Sequence, residues 1–337
     1  LSALEEIYVK DLNRPDEYLA FLETVPGYNV NTTSKDSVIY QSANIQFQNG
    51  KYQQAIEGFT NYLAKYPNGP NSVNALYNRA ESYAQPAIGK YGMALKDYGA
   101  VVGRGPGRFY NRAAEKAALI ALNTEKDYAQ AFEFARKWEE SASSNSSRSE
   151  AQLTALKAAY FTNNSVSVEE YARKLNSSGA ASNEQSAAAN FYLGKMAYDR
   201  GDFAKAYPAL QTVTKNSTSE SMAEAYHYLA QILYKQRKYS EAEDLITNAN
   251  QASAGYDDWI ARNLLLLSDV YFDQGDKNSA SAAIEVVLEN YKGNDDKILA
   301  AARQKQARIE GRAPNPVQNS TNQKGIRNML ELEEGGN

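Results

Sequence analysis

The stretch FQNGKYQQAIEGFTNYLAKYPNG, residues 47–69, contains the pattern that decides the fold. A turn at Gly50 is followed by an aromatic residue, Tyr52, and three positions later by a small one, Ala55. Apolar side chains then recur at helical spacing, at Ala55, Phe59, Tyr62 and Leu63. Pro67 cannot continue a helix, so the pattern predicts a helix over about 52–65 between two turns.

The same pattern of a turn, an aromatic residue and an alanine recurs along the chain. Its alanines lie at positions 20, 55, 94, 131, 206, 242 and 280. The gaps between them are 35, 39, 37, 75, 36 and 38 residues, so the gap of 75 predicts one further unit near 168–172. One helical hairpin cannot bury its own apolar face, whereas stacked neighbours can. We therefore predict an all-α chain of about eight helix pairs, of which 1–25 is the least regular.

The units resemble the tetratricopeptide repeat family. In the unit at 187–220 the matching residues are Leu193, Gly194, Ala197, Gly201, Phe203 and Ala206. The resemblance implies a right-handed superhelical solenoid of stacked antiparallel helix pairs over 1–310, closed by a capping helix. It also implies a non-catalytic scaffold that holds a protein or peptide in its concave groove. Residues 311–337 have no periodicity and are expected to form a flexible polar tail.

The sequence of residues 47–69 is most similar to bacterial cell-envelope members of this family. These include outer-membrane assembly lipoproteins and periplasmic cell-division coordinators. The resemblance implies a location in the periplasm or at the outer membrane, with the cytoplasm as the alternative. No apolar stretch reaches the roughly 20 residues of a membrane helix, so envelope association would be peripheral.

In this family the first helix of each unit lines the concave surface, which transfers a set of candidate partner-binding positions to this chain. They are Tyr40, Asn44, Phe47, Tyr77, Glu81, Phe191, Lys195, Tyr198, His227, Gln231, Tyr234, Asp269 and Phe272, with Leu265 beside them. Aromatic side chains with polar tips suit a recognition surface. The alternative interpretation is that these rings pack between adjacent first helices.

Composition argues against several other functions. The net charge is −4, from 36 basic and 40 acidic residues, which provides no basic footprint for nucleic acid. Cysteine is absent and His227 is the single histidine, so we expect no thiolate chemistry, histidine-pair metal site, catalytic residue or cofactor. The glycine-rich stretch 103–108 lacks the Gly-Lys-Ser/Thr ending of a phosphate loop and is predicted to be a turn. Glycan or small-molecule binding on the groove aromatics remains the alternative function, and an enzyme is disfavoured.

Helix starts are predicted from capping boxes, in which a serine and a Gln or Glu three residues later satisfy each other's backbone amides. The pairs are Ser149 with Gln152, Ser182 with Gln185, and Ser221 with Glu224. At the other end of the chain, a last helix over about 294–311 is expected to present a polar outer face. That face would consist of Arg303, Lys305, Gln306 and Arg308.

Overall fold

The computed structural model describes residues 1–26 and 32–312, and within these residues the regular structure is helical, without strands. The chain divides into two compact units, 1–196 and 197–337. The predicted all-α class and the stacking of helix pairs are confirmed within each unit, because consecutive helices pack side by side. Residues 313–337 of the predicted flexible tail lie outside the described residues.

The first unit contains the first ten helices and most of the eleventh. They are α1 (Ser2–Glu5), α2 (Pro15–Thr24), α3 (Thr32–Gln48), α4 (Tyr52–Lys65), α5 (Ser72–Tyr83), α6 (Tyr91–Gly103), α7 (Tyr110–Ile120), α8 (Tyr128–Ser141), α9 (Asn145–Phe161), α10 (Ser165–Ser177) and α11 (Asn183–Asp199). Two wider π-helical segments, Glu6–Asp11 and Ala121–Glu125, follow α1 and α7.

The second unit begins within the last turn of α11. Its further helices are α12 (Phe203–Asn216), α13 (Glu220–Lys235), α14 (Tyr239–Ala252), α15 (Asp257–Asp273), α16 (Lys277–Asn290) and α17 (Asp296–Ile309). From α3 onward, odd-numbered helices are the first helices of the pairs and even-numbered ones the second, with α17 at the end.

The repeated alanines sit where paired helices cross. Ala55, Ala131 and Ala242 are fully buried. A side chain larger than alanine at these positions would push the two helix backbones apart. In the predicted but irregular unit, α10 carries Val168 and Ala172 at the crossing, both almost completely buried. That unit therefore exists as predicted, with valine in place of the alanine anchor.

The close approach is clearest between α3 and α4. A Cβ atom built on Gly58 would lie 2.7 Å from the Cβ of Ala43. Two helices with ordinary side chains at this point could not pack so closely. Glycine opposite alanine thus sets the separation of this pair.

The turn inside most pairs is left-handed. Positive φ angles occur at Gly50, Gly89, Lys126, Asn163, Gly201, Arg237 and Gly275, at nearly constant spacing. These residues end the first helix in the conformation that glycine adopts without steric cost. The turn at Asn163 marks the irregular unit as clearly as its buried residues do.

One of the three predicted capping boxes is confirmed. Ser182 Oγ accepts from the Gln185 amide, and Gln185 Oε1 accepts from the Ser182 amide. The other two predictions placed the cap five and two residues too late, because α9 begins at Asn145 behind Ser144 and α13 begins at Glu220 behind Ser219. Both segments contain several serines, and the earlier one precedes the helix. Ser149 consequently lies inside α9.

Candidate partner-binding face

The predicted positions lie along the first helices, and we call them together the first-helix face. In the first unit, α5 reaches α3 through Asn78. The Asn78 Nδ2 donates to Asn44 Oδ1 at 3.1 Å and to the Tyr40 hydroxyl at 3.4 Å. Tyr40 also packs edge-on against Tyr62, and its burial raises the pKa of its hydroxyl. Phe47 packs against Phe59 at a centroid distance of 6.4 Å.

Glu81 is the centre of a second cluster. Its Oε1 accepts from the Tyr98 hydroxyl at 2.7 Å, and its Oε2 accepts from Lys116 Nζ on α7 at 3.0 Å. Burial alone would raise the pKa of Glu81, but the hydrogen bonds from Tyr98 and Lys116 hold it below its usual value. Tyr77, one turn earlier, stacks on Phe109 with ring centroids 4.4 Å apart. The carboxylate is therefore charged and fixed in position.

Lys195 on α11 lies over aromatic rings. Its Nζ is 5.3 Å from the Phe191 ring centroid and 5.9 Å from that of Tyr160 on α9. Tyr160 in turn contacts Tyr192 at 5.0 Å. This part of the face combines a cation with three rings, in a geometry that allows cation–π contacts.

A chain of side-chain hydrogen bonds runs through the second unit. The Tyr198 hydroxyl donates to Gln231 Oε1, Gln231 Nε2 lies 2.8 Å from His227 Nε2, and His227 Nδ1 lies 2.9 Å from Asn263 Oδ1. Because Asn263 Oδ1 can only accept, the imidazole proton sits on Nδ1, and Nε2 accepts from the Gln231 amide. Burial, together with the nearby Arg262, lowers the pKa of His227 to about 4. His227 is thus a neutral connector between α13 and α15.

The end of the second unit covers part of the face. Tyr234 donates to Asp273 Oδ2 at 2.8 Å. Lys305 pairs with Asp269, and the guanidinium carbon of Arg308 lies 4.4 Å from the Phe272 ring centroid. Lys305 was predicted to form part of the outer polar surface of the last helix, but it packs on α15 because Asp269 offers a partner there. Arg308 contacts α15 as well, and its side chain is 55% exposed, as predicted for the outer surface.

Burial divides the predicted positions into two groups. Tyr77, Phe191 and His227 expose less than a tenth of their surface, and so does the neighbouring Leu265. Their packing between helices corresponds to the structural alternative left open above. The accessible part of the face consists of the half-buried side chains Tyr40, Asn44, Phe47, Glu81, Lys195, Tyr198, Gln231, Tyr234, Asp269 and Phe272.

Lys157 was not among the predicted positions, because the irregular unit has no alanine anchor from which the repeat positions could be counted. It lies on α9, one period before Lys195, and burial lowers its pKa. Asn78 and Tyr160 were missed because each lies beside the transferred positions. A search for the left-handed turn at 163 would have placed the register of α9.

The glycine-rich stretch 103–108 is a turn between α6 and α7, as predicted. Arg104 in this turn donates to the Pro67 carbonyl and to Asn68 Oδ1, both at 2.8 Å. The basic residue therefore joins two successive turns. In the part of the chain that the structure describes, no group of three His, Asp or Glu residues is arranged to hold a metal ion. In the same residues, no helix has the length and apolar character to cross a bilayer.

The second unit also has an open depression of about 660 Å³ beside α15. Tyr256 and Trp259 form its aromatic part, and Asp257, Asp258 and Asp295 its acidic part. Trp259 is held by its indole N–H, which donates to Glu220 at 3.0 Å. The depression is polar enough to hold water or a hydroxyl-rich ligand.

Comparison with known proteins identifies the sequence family. Residues 128–310 match the model of a tetratricopeptide repeat-like domain, and residues 37–69 match a tetratricopeptide repeat. No curated protein sequence matches the chain.

Solved structures with a similar arrangement of helices include a tetratricopeptide repeat protein from Parabacteroides merdae ATCC 43184. It is 14% identical with a TM-score of 0.42, over 80% of this chain and 98% of that one. The apo quorum sensor NprR from B. thuringiensis is 12% identical with a TM-score of 0.48, over 98% and 96%. The TPR2AB domain of yeast Sti1 in complex with pHSP90 is 16% identical with a TM-score of 0.32, over 82% and 93%. The assignment of the family rests on the sequence match over 128–310.

Proposed function

Because the chain belongs to the tetratricopeptide repeat-like family, whose fold is generally a protein-interaction scaffold, we propose that its first-helix face binds a segment of a partner protein. The face acts by binding alone and supports the assembly of a complex.

The observation that carries this proposal is the fixed, mixed polar and aromatic character of the face. Asn44, Asn78 and Gln231 offer amide groups, which both donate and accept and so match a peptide backbone. Their hydrogen bonds to neighbouring helices hold them in place before a partner arrives. Side chains that are already ordered lose less entropy on binding, which favours affinity.

The partner we propose is a protein or peptide rather than a nucleic acid. Lys116 pairs with Glu81 and Lys305 with Asp269, so these charges of the face balance, and the whole chain has a net charge of −4. Binding of a phosphate backbone depends on an excess of basic residues. We therefore expect no binding to single- or double-stranded nucleic acid at physiological salt.

We also propose that the protein acts at a bacterial cell envelope, in the periplasm or at the outer membrane. The similarity of residues 47–69 to envelope members of the family supports this location. Fractionation of the native cells, followed by immunoblotting, tests it: the protein should accompany periplasmic or outer-membrane markers. Co-purification with cytoplasmic markers would contradict the location and leave the binding proposal intact.

Affinity capture from the native cells tests the binding proposal. Asn44→Arg and Phe272→Glu place bulk and charge on the face at half-buried positions. Val166→Glu and Val286→Glu are the matched controls, because these side chains are 76% and 44% exposed on second helices. Partners should be lost from the two face variants and retained by the two controls, with helicity unchanged by circular dichroism. Retention of every partner by the face variants would contradict the proposal.

The depression beside α15 favours a second candidate function, the binding of a glycan or another small molecule. An indole and a phenol ring next to carboxylates can stack on a sugar and accept its hydroxyl hydrogens. A thermal-shift screen with oligosaccharides should then stabilise the native protein more than a Trp259→Ala variant. Equal shifts for both proteins would exclude this depression as the site.

A further inference from the structure

A smaller cavity of about 310 Å³ lies in the first unit, between the start of α9 and the segment after α10. One wall is the first two turns of α9, with Arg148, Ser149 and Gln152. The other wall is the backbone around Gly179. Its volume is at the lower end of the range for small-molecule sites.

Ser149 places a hydroxyl group at the wall of this cavity. The residue is only 1% exposed and lines the cavity, yet its hydroxyl has no hydrogen-bond partner among the described residues. One turn further along the same helix, the Thr154 hydroxyl donates to the Glu150 carbonyl four residues earlier. Buried hydroxyl groups in folded proteins are almost always hydrogen-bonded. The free hydroxyl of Ser149 is therefore available to a group in the cavity.

The start of α9 adds positive potential to the same wall. Ser144 Oγ accepts from the Ser147 amide, so the amides of Asn145 and Ser146 have no acceptor within the helix. Unpaired amides at the start of a 17-residue helix attract anions. Asn145 itself lines the cavity.

Arg148 supplies a full positive charge. Its contact within the protein is a long one, 3.5 Å to the Ala142 carbonyl, and no carboxylate of the described residues pairs with it. No acidic side chain lines the cavity. The neighbouring Glu139 is bound by Lys174 at 3.1 Å and by the Gln152 amide at 2.8 Å, so its charge is already neutralised.

We propose that this cavity binds the phosphate group of a small phosphorylated molecule. The cavity wall offers the amides of a helix start, a guanidinium group and a hydroxyl, and donors of these kinds bind phosphate oxygens in proteins. The opposite wall leaves room for the rest of the molecule, since a Cβ atom on Gly179 would meet nothing within 4 Å. The site does not depend on whether the first-helix face binds a partner.

Titration of the full chain, labelled with ¹⁵N-glycine, with inorganic phosphate tests the site. The Gly179 amide resonance should shift saturably, while sodium chloride at equal ionic strength should not move it. Sodium acetate is the arm that separates phosphate from carboxylate, and it should bind at least tenfold more weakly. Equal effects of phosphate and chloride would overturn the proposal, and tighter binding of acetate would overturn the choice of phosphate.

Three variants complete the test. Arg148→Gln should raise the Kd for phosphate more than tenfold, because it removes a charged donor. Ser149→Ala should raise it by a smaller factor and provides the test if Arg148→Gln folds poorly. Arg173→Gln, an exposed arginine on α10 that does not line the cavity, should leave the Kd unchanged. The same Kd for Arg148→Gln and Arg173→Gln, or for Ser149→Ala and the wild type, would overturn the assignment.

Discussion

At the scale of single residues, His227 is held between two side-chain amides that determine its protonation state. Asn263 accepts the Nδ1 proton and Gln231 donates to Nε2, so a second proton would face a donor instead of an acceptor. The ring is also buried against Trp259, 5.7 Å away. Position and burial both favour the neutral imidazole.

The first prediction concerns the titration of this histidine. Because the chain has one histidine, its ring resonance in an NMR pH titration is unambiguous. The midpoint should lie near pH 4 in the folded protein and near 6.5 in urea. A folded-state midpoint near 6.5 would contradict the buried hydrogen-bond chain.

The same shift predicts a loss of stability in acid. The unfolded chain binds the proton first, so His227 makes no pH-dependent contribution above about pH 6.5. Its contribution is lost as the pH falls from about 6.5 to about 4, by about 3 kcal/mol in total. Urea unfolding of the wild type and of His227→Gln at pH 7.5, 5.5 and 4.5 measures this effect. The stability advantage of the wild type should shrink towards pH 4, and a constant difference would contradict the prediction.

At the scale of the helix pair, small residues fix both the separation of two helices and the turn that joins them. Ala43 and Gly58 meet at the crossing of α3 and α4. Glycine also occupies the left-handed turn in several pairs, whereas Lys126 and Arg237 occupy it in others. The pairs therefore carry the same geometry at different conformational cost.

The left-handed turns allow a prediction with opposite signs at equivalent positions. Arg237→Gly should stabilise the protein by about 0.5–1 kcal/mol, because the exposed arginine is held at a φ of 60°. Gly275→Ala should destabilise it by about 1 kcal/mol. The cause there would be purely conformational, since the new Cβ would meet nothing within 4 Å. Urea unfolding measures both changes, and equal signs would contradict the account of the turn.

The helix crossing predicts a second pair of opposite effects. Gly58→Ala should destabilise the protein by about 1–3 kcal/mol, because its Cβ would lie 2.7 Å from that of Ala43. Gly92→Ala, on α6, should stabilise it by up to about 1 kcal/mol, since alanine favours the helix and the nearest atom is a flexible Glu125 oxygen at 3.4 Å. Thermal unfolding distinguishes the two. A stabilising Gly58→Ala would show that this crossing is not tightly packed.

Elements that depend on a repeated pattern could be predicted from the sequence. The helix expected over 52–65 is α4, Tyr52–Lys65, and the irregular unit is present at α9 and α10. The π-helical segment Ala121–Glu125 could not be predicted. One turn with the wider hydrogen-bond spacing of a π-helix is too short to change the periodicity of the apolar residues. The burial of Tyr77 and His227 could not be predicted either. The spacing of residues shows on which face of a helix a side chain lies, but its exposed fraction depends on the helices packed against it.

At the scale of the whole molecule, repetition produces two compact units with similar chemistry on their first helices. In the first unit Lys116 pairs with Glu81, and in the second Lys305 pairs with Asp269. Both pairs join successive first helices and keep the side chains of the face ordered. We infer that each unit can offer a fixed set of amide, aromatic and charged groups to a partner.

Site-specific photo-crosslinking in the native cells tests the central claim most directly. A photoreactive phenylalanine analogue would replace Asn44, Lys195 or Phe272 on the first-helix face, and Val166 or Val286 on second helices. We predict that the face positions crosslink to a common partner protein and that the two second-helix positions do not. Crosslinks formed from Val166 and Val286, with none from the face, would contradict partner binding by the first-helix face.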